Sequence, residues 1–155
     1  MDWSALGAIS EIISALAVIV TLIYLSKQIK NNTKEVKTEN IHRVTDSFNQ
    51  INILIAGNAD LADVWWRGFE SFDDLNDKEK SRLNFLLLSV FRIYDSLYYQ
   101  IKHGTGDEEL WSTELETLDF VFSSQGHRQW WKQNHFGFSS GFRQFIEKNY
   151  FENSQ

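Results

Sequence analysis

The longest hydrophobic run in the chain comes first: Ala5 to Leu25 reads ALGAISEIISALAVIVTLIYL, 21 residues in which Glu11 is the only charge. As a helix rising about 1.5 Å per residue it measures about 31 Å, enough to cross a hydrocarbon core of about 30 Å. A buried helix of a soluble domain rarely runs this long without charge beside a lysine cluster such as Lys27, Lys30, Lys34 and Lys37. A cleavable signal peptide needs a basic start, a short apolar core and small residues at the cleavage point. Here no Lys or Arg precedes Lys27, and the run continues into KQIKNNTKEVK. The pattern predicts a transmembrane helix over residues 1–26. The lysines that follow, set against only Asp2 and the terminal amine on the other side, predict an N-terminus outside and a C-terminal part in the cytoplasm. Trp3 and Tyr24 stand where interfacial aromatic anchors belong.

A polar juxtamembrane stretch over 27–40 comes next, with a hinge near Asn31-Asn32 as the alternative to one continuous helix. Over 41–155 the pattern predicts a cytoplasmic bundle of about five helices. Ile41, Val44, Phe48, Ile51 and Ile55 recur at spacings of 3, 4, 3 and 4, the mark of a helix with one buried stripe. Asn58 is placed to cap a short helix carrying Leu61, Val64, Trp65 and Phe69, with its end between Gly68 and Asp74. Asn76-Asp77-Lys78-Glu79 has capping-box spacing and opens the strongest helix. Its face of Leu83, Leu87, Val90, Tyr94, Leu97 and Ile101 is widened nearly all round by Leu86, Leu88, Phe91, Ile93 and Tyr98, which predicts a central helix covered on most sides. It ends at Gly104-Thr105-Gly106. Asp107 opens a helix with Trp111, Leu115, Leu118 and Phe122 on one side. Ser124 or Gln125 caps one containing Trp130 and Trp131, and Ser139 caps the last, with Phe142, Phe145 and Ile146. No alternating strand pattern of useful length occurs, so the expected fold class is all-α.

Within the apolar run Gly7, Ser10, Ser14, Ala17 and Thr21 recur at 3, 4, 3 and 4, and the phase continues through Tyr24, Gln28 and Asn31. Small, weakly polar residues on one face let helix backbones approach closely in lipid, and a mean spacing of about 3.5 suits left-handed packing. This points to a helix that self-associates; the other reading is a lone anchor whose small residues are incidental. Glu11 borders the stripe. A carboxylate there costs about 2.5–3.5 kcal/mol at the centre of a bilayer, so it faces a neighbouring helix or a pore, or it snorkels to the outer headgroups.

Composition changes the picture in two places. A mean hydropathy of −0.35 and a net charge of −6 describe an ordinary soluble chain and argue against nucleic acid as a partner. Both average over unlike parts: residues 1–26 hold two acids and no base, and the remainder holds 15 bases against 19 acids. The absence of Cys excludes disulfides, thiolate metal sites and a cysteine nucleophile. The absence of Pro, where average usage predicts about eight, favours long unbroken helices.

Chemistry-bearing patterns are few. His42, His103, His127 and His135 form no close metal-ligand pair, and Glu39-x-x-His42 lacks the second such pair that a di-iron bundle needs. No cofactor and no metal is expected. Arg92 and Asp95 sit at i, i+3 on the central helix, either as an anchor for a polar ligand or as an ion pair on a thin exposed stripe with Ser89 and Ser96. The doublets Trp65-Trp66 and Trp130-Trp131 point their indoles about 100° apart on a helix. One indole of each therefore reaches a partner or ligand, or both plug an aromatic-rich core. Arg67, Arg128 and Lys132 flank them, in reach of cation–π or headgroup contacts.

The segments ISEIISALAVIVTLIYLSKQIKNNTKEV, NADLADVWWRGF, FRIYDSLYYQIKHG, DEELW and GHRQWWKQNHFGFSSGFRQFIE together resemble a group of small, uncharacterised bacterial single-span proteins. The resemblance covers nearly the whole chain and implies a bacterial membrane protein with a helical cytoplasmic domain; it transfers no activity, cofactor or catalytic residue. The expectation is a non-enzymatic, single-pass protein of the bacterial inner membrane that forms a homo-oligomer acting as channel, sensor or scaffold, with the lipid bilayer as partner. A channel would have Glu11, Ser14, Thr21 and Gln28 line its axis. The alternative is a membrane-tethered module that holds an apolar or amphipathic ligand in its aromatic bundle.

Overall fold

From Ala8 to Ala56 the chain contains neither Gly nor Pro, so nothing interrupts a backbone that Gly57 and Asn58 finally turn. In the computed structural model, which describes residues 3–152, this stretch is one helix, α1, over Trp3–Ala56. It runs through Asn31-Asn32 without a hinge. Three of its threonines, a residue type that on its own disfavours helix, point their hydroxyls back at the carbonyl one turn earlier: Thr21 to Ala17 at 2.8 Å, Thr33 to Ile29 at 2.9 Å and Thr38 to Lys34 at 3.1 Å. Contacts group the chain into two units, residues 1–38 and 39–155.

Over residues 3–38 the first unit is helix. Every side chain from Glu11 to Val36 is exposed, including Ile13 at 61%, Val20 at 65% and Ile23 at 66%. Among the described residues, only this helix is long and apolar enough to cross a membrane.

The second unit is a helical bundle, and its helices begin where capping side chains stand. The helices are α2 (Ala59–Glu70), α3 (Asp77–Lys102), α4 (Glu108–Ser123), α5 (Gln125–Asn134) and α6 (Ser140–Ile146), preceded by the last turns of α1. Asn58, Asn76, Asp107, Ser124 and Ser139 each accept a backbone N–H of the first turn they open, and Glu79 closes the capping box by accepting from the Asn76 N–H at 3.0 Å. A 3-10 turn over His135–Gly137 joins α5 to α6, and a π-helical turn over Glu147–Glu152 follows. After α3, Gly104 takes a φ of 72°, a left-handed conformation that costs glycine little.

Helix α3 is the axis of the core. Leu83, Leu87, Phe91 and Leu97 are fully buried, against Leu118 and Phe122 of α4, Trp130 and Trp131 of α5, and Phe142 and Ile146 of α6. Its dry side is wide, yet Phe85, Ser89, Arg92 and Ser96 keep one stripe in water. The end of α1 applies its Val44, Phe48 and Ile51 stripe to this core, with Phe48 and Tyr94 ring centroids 5.1 Å apart. Asn40 adds a bond from its amide to the Thr105 carbonyl at 3.1 Å. Helices α2 and α5 meet most closely where Gly68 faces Gly126, and Ser124 Oγ donates to the Phe69 carbonyl beside them.

Candidate functional site

On the apolar helix the residues of the proposed packing face, Gly7, Glu11, Ser14, Ala17, Thr21 and Gln28, are exposed along the helix. The side chain of Ser10 lies outside the described ones, as do that of Trp3 and the whole of Asp2. The Thr21 hydroxyl is held by the Ala17 carbonyl. This satisfies the hydroxyl inside its own helix and leaves the face as a small-residue surface for packing.

In the bundle the two tryptophan doublets behave differently. Trp66 is 58% exposed and Trp65 half-buried, so this pair divides between surface and core. Trp66 stands edge-on to Phe69, which stacks on Phe120, itself exposed. Trp130 and Trp131 are both fully buried, and neither is available to a partner or ligand. Helix α5 is covered on two sides. Trp130 stacks on Phe91 at 5.3 Å and donates to Asn84, whereas Trp131 stacks on Phe138 at 5.3 Å and donates to Glu147. The flanking cations are engaged elsewhere than on these indoles. Arg67 binds Asp63 and Glu79, while Arg128 donates to the Tyr150 carbonyl at 2.8 Å and lies over Phe151 with Lys132.

Arg92 and Asp95 do not act together. Arg92 is on the exposed stripe of α3. Asp95 accepts from the Ser139 N–H at 3.0 Å and from the Ser139 hydroxyl at 2.5 Å, fixing the residue that caps α6. Its role is to position the last helix. Glu39 is likewise taken up by Arg43 at 3.0 Å, while His42 is exposed.

His127 is fully buried between Trp65 and Phe69. Its Nδ1 lies 3.2 Å from the Val121 carbonyl, and its Nε2 has no partner among the described residues. Burial lowers its pKa from 6.5 to about 4, against the smaller raising effect of the Val121 carbonyl. The unfolded chain therefore binds more protons between these values, and stability drops as pH is lowered. The contribution of His127 is complete above pH about 6.5 and lost as pH falls toward about 4, in all about 3 kcal/mol. Urea midpoints measured across this range should show that slope, and His127→Leu should flatten it.

The arrangement with the most chemical potential lies between the end of α1 and helices α2, α3 and α4. A cavity of about 260 Å³ is lined there by Phe48, Ile51, Ile55, Trp65, Val90 and Val121, with Asn52, Tyr94, Glu114 and Thr117 as its polar members. The Tyr94 hydroxyl donates to Glu114 Oε2 at 3.3 Å. Burial, and then the neighbouring Glu114 charge, hold the Tyr94 phenol well above its ordinary range. Burial also raises the Glu114 carboxyl, partly offset by the Tyr94 hydroxyl. Glu114 lies outside the α4 face that the sequence pattern singles out, although a local signal marks it. Trp111, Glu114, Leu118 and Val121 are spaced by 3, 4 and 3, which puts one acid on the apolar face of α4.

No family profile, no curated protein and no solved structure matches this chain. Its class is set by its own architecture, a long apolar N-terminal helix followed by an all-α bundle.

Proposed function

We propose that the protein is a non-enzymatic, single-pass protein of the bacterial inner membrane whose apolar helix crosses the bilayer, N-terminus outside, and whose bundle forms the cytoplasmic part of a homo-oligomer. One observation carries the reading: from Glu11 to Val36 every side chain is exposed, large aliphatic ones included. Leaving that surface in water costs about 25 cal/mol per Å² of apolar area, and lipid removes the cost. Lys27, Lys30, Lys34 and Lys37 give the orientation, and the Gly7, Ser14, Ala17 and Thr21 face gives the oligomer its contact. In this reading Glu11 sits at the edge of the contact face, where a neighbouring helix shields it from lipid.

The test is extraction and stoichiometry. The full chain should stay with membranes through alkaline carbonate washing and scatter light as a multimer in mild detergent, with Ser14→Leu/Thr21→Leu shifting it toward monomer. Release by carbonate contradicts the span; a wild-type monomer contradicts the assembly.

The cavity at Phe48, Trp65 and Glu114 favours a second reading, in which the span tethers a bundle that holds an apolar or amphipathic ligand. It is small for such sites, which start at roughly 300 Å³, and mostly preformed by residues of the core.

A further inference from the structure

We infer that the cavity between the end of α1 and helices α2, α3 and α4 binds a small hydrophobic organic cation, with its ammonium group on Glu114 and its apolar body among Phe48, Trp65 and Val90. This rests on the reading of the bundle as a ligand-holding module and adds the chemical class of the ligand.

Three features of the cavity carry the inference. First, its lining joins one acid to apolar and aromatic walls and includes no Lys, Arg or His. An anion would find no countercharge there, and the one charged group, Glu114, would repel it. Second, Glu114 is half-buried and has no cationic partner: the ion pairs among the described residues join Arg43 to Glu39 and Arg67 to Asp63 and Glu79. Its one side-chain hydrogen bond among the described residues comes from the Tyr94 hydroxyl. A carboxylate drawn part-way out of water and left unpaired is what an incoming cation stabilises. Third, Phe48, Trp65 and Tyr94 supply aromatic rings to the same cavity, and ring faces attract ammonium groups more strongly once water is excluded. A neutral apolar ligand would use the walls and leave the carboxylate stranded, so the two parts of the lining are used together only by a molecule that is both apolar and cationic. The raised pKa of the Glu114 carboxyl agrees with this, since burial without a countercharge is its main cause.

Titration calorimetry on the full-length protein in non-ionic detergent, with phenylbutylammonium, phenylbutanol and phenylbutyrate as probes, tests the inference. The ammonium probe should bind about tenfold or more tightly than the alcohol, and the carboxylate should give no measurable heat. Glu114→Gln, which keeps the size of the side chain and an acceptor for Tyr94, should bring the ammonium probe down to the affinity of the alcohol and leave the alcohol unchanged. Ile55→Trp, which fills the cavity, should abolish binding of both. Equal affinity for ammonium and alcohol in the wild type overturns the cation assignment while leaving a ligand-holding bundle. Absence of binding by every probe overturns both. Ammonium binding that survives Ile55→Trp places the probe outside the cavity and overturns the inference as well.

Discussion

Trp131→Ala is expected to remove about 3–5 kcal/mol of stability, the cost of truncating a large buried aromatic. The indole is fully buried. It lies nearly parallel to Phe138 with centroids 5.3 Å apart, tilted against Phe91 at 5.2 Å and edge-on to Phe142 at 5.9 Å. Its N–H donates to Glu147 at 3.1 Å, so truncation also leaves that carboxylate without its buried donor. These partners come from α3, from the turn before α6, from α6 itself and from the π-helical turn, and one deletion loosens all of them. Trp66→Ala is the matched control: an indole 58% exposed should cost well under about 1 kcal/mol. Urea unfolding of the full chain in detergent, followed by circular dichroism, measures both.

The second large effect is expected at the crossing of α2 and α5. A Cβ on Gly126 would lie 1.8 Å from the Gly68 carbonyl oxygen and 3.0 Å from that of Phe69. Both obstacles are backbone, so only separation of the helices makes room. Gly126→Ala should therefore cost about 3 kcal/mol, the upper part of the range for overpacking. A Cβ on Gly68 meets the Leu83 Cδ2 at 2.0 Å, the end of a side chain that has other rotamers. Gly68→Ala also gains about 1 kcal/mol of helix propensity, and its net cost should be about 1–2 kcal/mol. The order of the two unfolding midpoints is the check: Gly126→Ala should be the lower. The reverse order would mean that the helices yield more readily than the Leu83 side chain does.

Much of the fold was legible because the signals were local. Asn58, Asn76, Asp107, Ser124 and Ser139 are short polar side chains ahead of apolar runs, and a cap needs only its own next turn to form. The Val44, Phe48 and Ile51 stripe was legible from its period for the same reason. What escaped the sequence depends on which elements meet. Nothing near Trp130-Trp131 reveals that Phe91 closes over one indole and Phe138 over the other, so the doublet looked half available. The pairing of Gly68 with Gly126 joins residues far apart in the chain, and neither glycine alone marks a crossing. Asp95 looked like half of an ion pair with Arg92 because the two are neighbours on α3, whereas its partner, Ser139, is 44 residues away. Glu114 was legible as an acid on an apolar face, but not the open space beside it, which residues of α1, α2, α3 and α4 line together.

The central claim is that the exposed apolar helix crosses a membrane with the bundle on the cytoplasmic side. The chain contains no cysteine, so single cysteines introduced on either side of the span report topology without background. Ser4→Cys and Thr45→Cys, expressed in a bacterial host, are treated with a membrane-impermeant maleimide in sealed spheroplasts and again after permeabilisation. Labelling of Ser4→Cys in sealed spheroplasts, with Thr45→Cys labelled only after permeabilisation, is the predicted result. Equal labelling of the two positions in both states would contradict it.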